Sequence, residues 1–244
     1  MSSLYLREDL DDTTVGALVD LTGAEAKHAL TVNRSRIGDE LRIGNGRGLM
    51  AVGQVETTEP GIVGIRISSV VTETDPHPRL VLVQALAKGD RDELAIQAAT
   101  ELGVSAIIPW AASRSVSRWE GAKKEKGRLR WETIVREASK QSIRSFVPEV
   151  TAIVSTPDLE RLASSSRVVL LDPTATEPLS ALVPGSESRD LLLVVGPEGG
   201  ISDRELDTLS AAGAERARLG STILRTSSAG PAAIAVLNVA LGRW

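Results

Sequence analysis

The glycine-rich segment at residues 196–200 carries the clearest chemical signal in the sequence. It reads GPEGG, follows the apolar run Leu191–Val195 and precedes a capping-box pattern at residues 202–205. Glycines let backbone groups approach a ligand closely, and ligands of parallel sheets bind where strands end. The spacing fits neither a P-loop nor a dinucleotide fingerprint. Because Glu198 would repel phosphates, the segment predicts a site for a ligand without phosphates, with a plain strand-to-helix turn as the alternative.

Two further segments resemble this one in their position after a strand. LGSTILRT at residues 219–226 joins a short predicted strand to a helix, and LDPT at residues 171–174 follows an apolar strand. The carboxyl ends of parallel strands meet at one edge of a sheet. The three segments are therefore candidates for the walls of one pocket.

The composition excludes several classes of site. The chain has 244 residues, no cysteine and two histidines, so we expect neither thiolate chemistry nor a metal centre. The first residues lack the apolar region of a signal peptide, and no run of about 18 apolar residues appears. We therefore expect a cytoplasmic protein that does not enter a membrane.

The charge is distributed unevenly along the chain. The formal net charge is −4, yet residues 113–145 hold ten basic and only four acidic residues. A local basic field on an acidic protein is typical of a site for a polyanion such as nucleic acid. A solvated helix with internal ion pairs would show the same composition.

The pattern of apolar residues predicts two domains. Residues 1–72 contain short apolar runs and tight turns at 44–46 and 60–61, typical of a β domain with one helix at 23–31. Residues 73–78 hold two prolines and two acidic residues and are predicted as a linker. Residues 79–244 alternate strands with helices, which predicts an α/β fold with a mostly parallel sheet.

The predicted elements of this second domain follow from runs and periods. We predict strands at 79–87, 106–110, 167–171, 191–195 and 217–219. We predict helices at 90–102, 123–142, 203–212 and 231–241, the last with Pro231 in its first turn.

Five ordered motifs give the sequence a family resemblance. HALTVNRSRIGDE, KGDRDELAIQAATELGV, EASKQSIR, GPEGGIS and LGSTILRT resemble the RsmE family, the 16S ribosomal RNA uridine-N3 methyltransferases of the SPOUT superfamily. The resemblance implies a PUA-like β-barrel at 1–72 and an α/β-knot methyltransferase domain at 79–244. It also implies S-adenosylmethionine as cofactor, 16S ribosomal RNA of the small subunit as partner, and a homodimer.

The resemblance assigns binding roles to particular residues. Those implied to bind the cofactor are Leu170, Leu171, Gly196, Glu198, Gly199, Gly200, Leu219, Gly220, Ile223, Leu224 and Arg225. Those that match RNA-facing positions, or are expected to grip RNA from the first domain, are Arg34, Arg36, Lys88, Arg91, Arg114, Gln141 and Arg144.

The substrate chemistry indicates which residue types catalysis needs. N3 of uridine carries a proton, and a guanidinium can stabilise the negative charge left when that proton leaves. Arg225 is the first candidate and Arg136 and Arg144 are the next, with a phosphate contact or surface ion pair as the alternative for each. The sequence has Ser227-Ser228 where family members commonly have Glu-Thr, so we assign no carboxylate as base.

The sequence is compatible with two other functions. The departure at residues 227–228 would suit a non-catalytic RNA-binding or ribosome-assembly module of the same fold. A SPOUT methyltransferase acting on another RNA base would share the cofactor site. The glycines at 196, 199, 200 and 220 favour an enzyme, because a module without a cofactor would not need them.

Overall fold

The structure is a computed structural model that describes residues 4–182 and 189–244. The chain divides into two compact units. The first contains the residues up to Asp75 together with Ser139–Val147, and the second contains Pro76–Ala138 and Pro148–Trp244. The predicted linker at 73–78 includes the first of these boundaries. The return of Ser139–Val147 to the first unit has no signature in the sequence pattern.

The first unit is built on a five-stranded sheet with the order β1-β3-β4-β5-β2. Its strands are β1 (Leu4–Leu6), β2 (Leu18–Thr22), β3 (Glu40–Gly44), β4 (Leu49–Glu59) and β5 (Ile62–Thr72). Only β1 and β3 are parallel. The predicted turns near 44–46 and at 60–61 both join antiparallel neighbours, and Gly61 adopts a φ of +82° that glycine accepts without strain.

The predicted helix at 23–31 is present but changes its winding midway. Helix α1 (Gly23–Lys27) continues into a π-helical turn at His28–Val32, closed by a hydrogen bond from the Asn33 N–H to the His28 carbonyl. The Asn33 side chain donates to the Tyr5 hydroxyl at 2.6 Å. Directly after this turn, Arg34 has a φ of +53° and is exposed. The first predicted RNA-binding arginine thus lies two residues beyond the π-helical turn, in a left-handed conformation.

A buried ion pair fixes the Ser139–Val147 segment within the first unit. The Lys140 ammonium lies 3.1 Å from a carboxylate oxygen of Glu25, with side-chain exposures of 5% and 12%. Farther along, Phe146 forms a β-bridge with Arg47. A Cβ on Gly48 would lie 2.7 Å from the Phe146 ring, so the segment packs closely against this turn.

Replacing Lys140 by methionine is expected to destabilise the protein by about 3 kcal/mol, because the buried Glu25 carboxylate loses the Lys140 ammonium. Urea denaturation of K140M and of the double variant K140M/E25L measures this. We expect the double variant to recover much of the loss, since it removes both charges. A K140M protein as stable as the parent would contradict the role assigned to the pair.

The second unit contains a parallel six-stranded sheet with the order β11-β9-β10-β6-β7-β8. Its strands are β6 (Leu80–Ala85), β7 (Ala106–Trp110), β8 (Glu149–Val150), β9 (Arg167–Leu171), β10 (Leu191–Val195) and β11 (Glu215–Ala217). Its helices are α2 (Arg91–Glu101), α3 (Ala122–Gln141), α4 (Thr156–Leu162), α5 (Asp203–Ala211) and α6 (Thr226–Ala240). Helix α3 runs on into the first unit at Ser139. The predicted α/β class with a parallel sheet is confirmed.

Two predicted boundaries are wrong. Helix α6 begins at Thr226 rather than at 231, so Pro231 lies inside the helix and Ser227 and Ser228 belong to its first turn. Gly230 is tightly enclosed there, since a Cβ would lie 2.8 Å from the Leu82 side chain. The edge strand β11 spans Glu215–Ala217 rather than 217–219. At the edge of the sheet the strand includes the charged residues Glu215 and Arg216, which an apolar pattern does not mark.

Candidate active site

A cavity of about 540 Å³ lies in the second unit where three parallel strands end. Most of its wall comes from the segments after β9, β10 and β11, the three segments that the sequence predicts to share one sheet edge. The predicted cofactor residues that line it are Leu171, Gly196, Glu198, Gly200, Leu219, Gly220, Ile223, Leu224 and Arg225. Of the other two, Leu170 is buried in the core and Gly199 faces Arg114.

The glycine segment forms a tight turn with no room for a side chain at its start. The Gly200 N–H donates to the Pro197 carbonyl at 2.8 Å, and Gly200 has a φ of +72°. A Cβ on Gly196 would lie 2.8 Å from Ile201 Cγ1 and 2.9 Å from the Ile201 backbone nitrogen. Glycine at 196 is therefore required by the closure of the turn, while glycine at 200 is required by its φ.

Glu198 carries a fixed negative charge at the cavity wall. Its Oε1 accepts hydrogen bonds from the Lys88 N–H and the Arg91 guanidinium, both at 3.0 Å. Burial would raise the pKa of Glu198, but hydrogen bonds from backbone N–H groups and from Arg91 outweigh it and hold the pKa below its ordinary value. The Glu198 carboxylate is therefore ionised at neutral pH and paired with Arg91 at the cavity wall.

The conformation of the segment after β6 positions the Lys88 backbone N–H toward Glu198. The buried Asp92 carboxylate accepts from the Ala87 N–H at 3.0 Å, and Asp90 adopts a φ of +59° just before α2. Burial raises the pKa of Asp92, although backbone hydrogen bonds from Ala87 and Glu93 oppose the rise. An aspartate with a positive φ in front of a helix has only a weak sequence signal. The sequence therefore does not predict the contact between Asp92 and Ala87.

Arg114 supports the glycine segment through two backbone carbonyls. Its guanidinium donates to the Gly199 carbonyl at 3.2 Å and to the Ile201 carbonyl at 3.3 Å. Arg91 and Arg114, both predicted to face RNA, line the cavity. Arg91 donates there to Glu198, and Arg114 donates to the glycine segment.

Glu205 ties the start of α5 to two neighbouring segments. With Ser202 it forms the predicted capping box, and its oxygens also accept from the Ser113 backbone and hydroxyl at 2.8 and 2.7 Å and from the Thr156 hydroxyl at 3.1 Å. Burial would raise the pKa of Glu205, but hydrogen bonds from Ser202 and Ser113 hold it below its ordinary value. The capping box was predicted, and the two additional partners were not.

This hydrogen bonding predicts a specific loss in acid. Because the pKa of Glu205 is lower in the folded state than in the unfolded one, its stabilisation is present at neutral pH and is lost as pH falls through the folded pKa. Glu205→Gln should cost about 2 kcal/mol at pH 7 and progressively less in acid. Urea titrations at several pH values measure this, with the exposed Glu160→Gln as control. A cost that does not change with pH would contradict the assignment.

The three candidate catalytic arginines occupy different environments. Arg225 lines the cavity, and its carbonyl receives the Ser228 and Ala229 N–H groups at the start of α6. Arg136 and Arg144 are not among the lining residues. Burial lowers the pKa of Arg144 to about 10, partly offset by the charge of Asp75, so Arg144 still carries its charge at neutral pH.

The predicted RNA-facing residues are mostly accessible. Arg34 and Arg36 are exposed in the first unit, and Lys88 and Arg114 are exposed in the second. Gln141 is exposed at the end of α3. In the basic stretch, Arg128 pairs with Glu125 and Glu132, and Arg130 pairs with Glu93. Ion pairs therefore occupy part of the basic stretch, as the solvated-helix alternative predicts, and the polyanion site stays a prediction.

The described ranges contain no group of three or more His, Cys, Asp or Glu side chains placed to hold a metal ion. Within the same ranges, no helix has both the length and the apolar character needed to cross a bilayer.

Comparison with known proteins identifies the relatives of both units. A model of the RNA methyltransferase domain matches residues 74–238, and a model of the RNA methyltransferase PUA domain matches residues 21–67. The chain is 40% identical over 249 residues to ribosomal RNA small subunit methyltransferase E of Mycobacterium bovis, covering 100% of this chain and 94% of the relative. It is 32% identical over 217 residues to the Bacillus subtilis protein of that name, covering 86% and 85%.

Solved structures agree with these matches. Ribosomal RNA small subunit methyltransferase E from Neisseria gonorrhoeae, bound to S-adenosylmethionine, superposes with a TM-score of 0.85, 27% identity and 98% coverage of both chains. A Legionella pneumophila structure in complex with bound S-adenosylmethionine gives a TM-score of 0.84 and 28% identity, covering 98% of this chain and 97% of that one. The predicted family resemblance is confirmed by sequence and by fold.

Proposed function

The chain belongs to the ribosomal RNA small subunit methyltransferase E family, and on that premise we propose that it transfers a methyl group from S-adenosylmethionine to N3 of a uridine in 16S ribosomal RNA. The names of the relatives support the ribosomal RNA substrate, and the two cofactor-bound neighbours support the methyl donor. The uridine and its N3 rest on the family resemblance of the motifs. The observation that carries the proposal is the cavity that Glu198 and Arg225 both line.

The cavity fits S-adenosylmethionine in charge, chemistry and size. The ionised Glu198 favours the cationic methionine end, while Leu206, Leu219 and Leu224 offer apolar surface to the adenine. Backbone groups of the glycine segment supply hydrogen-bonding partners without intervening side chains. A volume of about 540 Å³ lies within the range of about 300–1,000 Å³ for small-molecule sites.

The residues at the cavity have two roles in the proposed reaction: they bind and orient the ligand, and they stabilise the charge that develops on the uridine. When bound, S-adenosylmethionine supplies a methyl group that its sulfonium already activates. We assign to Arg225 the stabilisation of the negative charge that develops on the uridine ring when its N3 proton leaves. Glu198 is held by two donors and serves to orient a ligand. We assign no carboxylate as proton acceptor, and Arg136 and Arg144 stay second candidates for a role toward the RNA.

Methyl transfer to isolated small subunits tests this function. Labelled S-adenosylmethionine is incubated with subunits from a strain that lacks the gene, and the digested nucleosides are identified by mass spectrometry. We expect new 3-methyluridine. Another methylated nucleoside would instead indicate a SPOUT methyltransferase that acts on another RNA base. Cofactor binding without labelled RNA would contradict the proposed substrate. Absence of both would support a non-catalytic RNA-binding module.

An exposed basic surface on the first turns of α3 supports RNA binding. Lys123, Lys124 and Lys126 are exposed and have no ion pair among the described residues. Unpaired lysines of this kind release counterions when they meet phosphates. We therefore propose that this surface contacts the RNA backbone.

Replacing the three lysines by glutamine should weaken binding to small subunits at physiological salt by about tenfold or more, and should reduce the slope of log K against log salt by about two. Fluorescence titrations at several salt concentrations measure both quantities. Arg161→Gln is the control, because Arg161 is an exposed cation already paired with Asp158. An unchanged salt slope would show that the three lysines do not contact phosphates.

We also propose a homodimer located in the cytoplasm. The family resemblance supports the dimer, and exposed apolar side chains on α2 and α6, Leu94 at 57% and Val239 at 63%, are consistent with a covered surface. The ribosomal substrate supports the location. Light scattering at micromolar concentration should give twice the chain mass, and a monomer mass would contradict the dimer.

A further inference from the structure

A buried pair of polar side chains, Gln84 and Thr226, links two parts of the cavity wall. Gln84, on the central strand β6, donates from Nε2 to the Thr226 hydroxyl at 2.9 Å, and that hydroxyl lies 2.9 Å from the Gly196 carbonyl. Gln84 has no exposed surface and Thr226 is 6% exposed. Gly196 begins the glycine segment and Thr226 directly follows Arg225, so the pair connects both parts of the site.

The direction of these hydrogen bonds is fixed by a second contact. The Gln84 amide nitrogen also donates to the Ala85 carbonyl at 3.0 Å. Turning the amide over would place Oε1 against that carbonyl, which offers no hydrogen, so the nitrogen must face Thr226. The single hydroxyl hydrogen of Thr226 is then available to the Gly196 carbonyl. The chain of donors runs from Gln84 through Thr226 to Gly196.

The packing of α6 against β6 explains why Gln84 and Thr226 are in contact. Leu82 and Gln84 point to the same face of β6, two residues apart, and Thr226 and Gly230 lie on one face of α6, four residues apart. Leu82 contacts Gly230 so closely that a Cβ there would lie 2.8 Å from the leucine side chain. This close approach places Thr226 over Gln84.

Gln84 is not explained by packing alone. Its Oε1 is buried and has no hydrogen-bond partner among the described residues. A buried acceptor without a partner is unfavourable, and an apolar side chain at this position on a central strand would avoid that cost. The benefit of glutamine here is the donor that it offers to Thr226.

We propose that Gln84 and Thr226 are positioning residues that hold the Gly196 carbonyl and the start of α6 in register around the cofactor. The inference rests on the proposed function, because it assigns the cavity to S-adenosylmethionine. The direction of the donors predicts unequal effects. Loss of Gln84 leaves the Thr226 hydroxyl able to reach Gly196, whereas loss of the hydroxyl breaks both links.

The test compares cofactor binding by Thr226→Val, Thr226→Ser, Gln84→Met and the Gln84→Met/Thr226→Val double variant in titration calorimetry with S-adenosylmethionine. We expect Thr226→Val to raise Kd about tenfold, Gln84→Met about threefold, and the double variant no more than Thr226→Val. Thr226→Ser keeps the hydroxyl and should bind like the parent. Thr100→Val is the control, since Thr100 is a buried threonine on α2 whose hydroxyl donates to Ile96.

The outcomes separate this inference from the proposed function. If Thr226→Val lowers Tm as Thr100→Val does but binds the cofactor as well as Thr226→Ser, the pair is merely structural and the inference is overturned. Effects of the two single variants that multiply in the double variant overturn the linked arrangement. A parent protein that does not bind S-adenosylmethionine removes the proposed function as well.

Discussion

Replacing Arg225 by alanine is expected to lower kcat for methyl transfer by about 100- to 1,000-fold, the loss typical when one preorganised donor to a developing anion is removed. Arg225 is the one candidate arginine that lines the cavity. Charge that appears only as the N3 proton leaves is stabilised in the transition state and not in the bound ground state. The loss should therefore fall on kcat rather than on cofactor affinity.

The local geometry allows this substitution to be interpreted cleanly. The contribution of Arg225 to the start of α6 is its backbone carbonyl, which accepts from Ser228 and Ala229 at 2.8 and 3.0 Å. Alanine keeps that carbonyl, and the arginine side chain is exposed, so little stability should be lost. We expect the Kd of S-adenosylmethionine to change less than about threefold.

Two further variants sharpen the test of Arg225. Arg225→Lys keeps the positive charge but not the planar fork of donors, so it should recover only part of kcat. Arg204→Ala removes an exposed arginine on α5 that does not line the cavity and should leave kcat unchanged. If Arg225→Ala kept kcat within about threefold of the parent, the role would have to pass to Arg136 or Arg144.

The sequence predicted best those elements whose signals are local. Strands β7, β9 and β10 lie where continuous apolar runs were found, because strands buried on both faces need such runs. For helix α6 the sequence pattern predicts a start five residues too late, since serines and a glycine before a proline resemble a loop. What makes that segment helical is its contact with β6, where Gly230 meets Leu82, and this contact is distant in sequence.

The candidate site shows the same division between local and distant signals. The glycine segment and LGSTILRT were identified from their own residues, and both line the cavity. The contacts that hold them were not predictable, because Arg114 reaches the carbonyls of Gly199 and Ile201 more than eighty residues away. Gln84 and Thr226 are separated by 142 positions. Pairs of this kind depend on strand order, which periodicity does not specify.

The second large effect concerns the glycine segment itself, at Gly196. Replacing Gly196 by alanine should weaken binding of S-adenosylmethionine by about 100-fold or more, because the added methyl group has no place to go. It would lie 2.8 Å from Ile201 Cγ1 and 2.9 Å from the Ile201 nitrogen, and a backbone atom cannot rotate away as a side chain can. The turn must open, which moves both the Gly196 carbonyl and Glu198.

Gly199→Ala provides a matched control within the same turn. At this position the nearest atom to an added Cβ is Arg114 Cβ at 3.3 Å, so a shift of a few tenths of an ångström suffices. Neither Gly196 nor Gly199 has a positive φ, so the two variants differ in crowding and not in backbone strain. Calorimetric titration with the cofactor and thermal melts measure the result. Equal losses of affinity in the two variants would contradict the account, because general loss of glycine, rather than closure of the turn against Ile201, would then control binding.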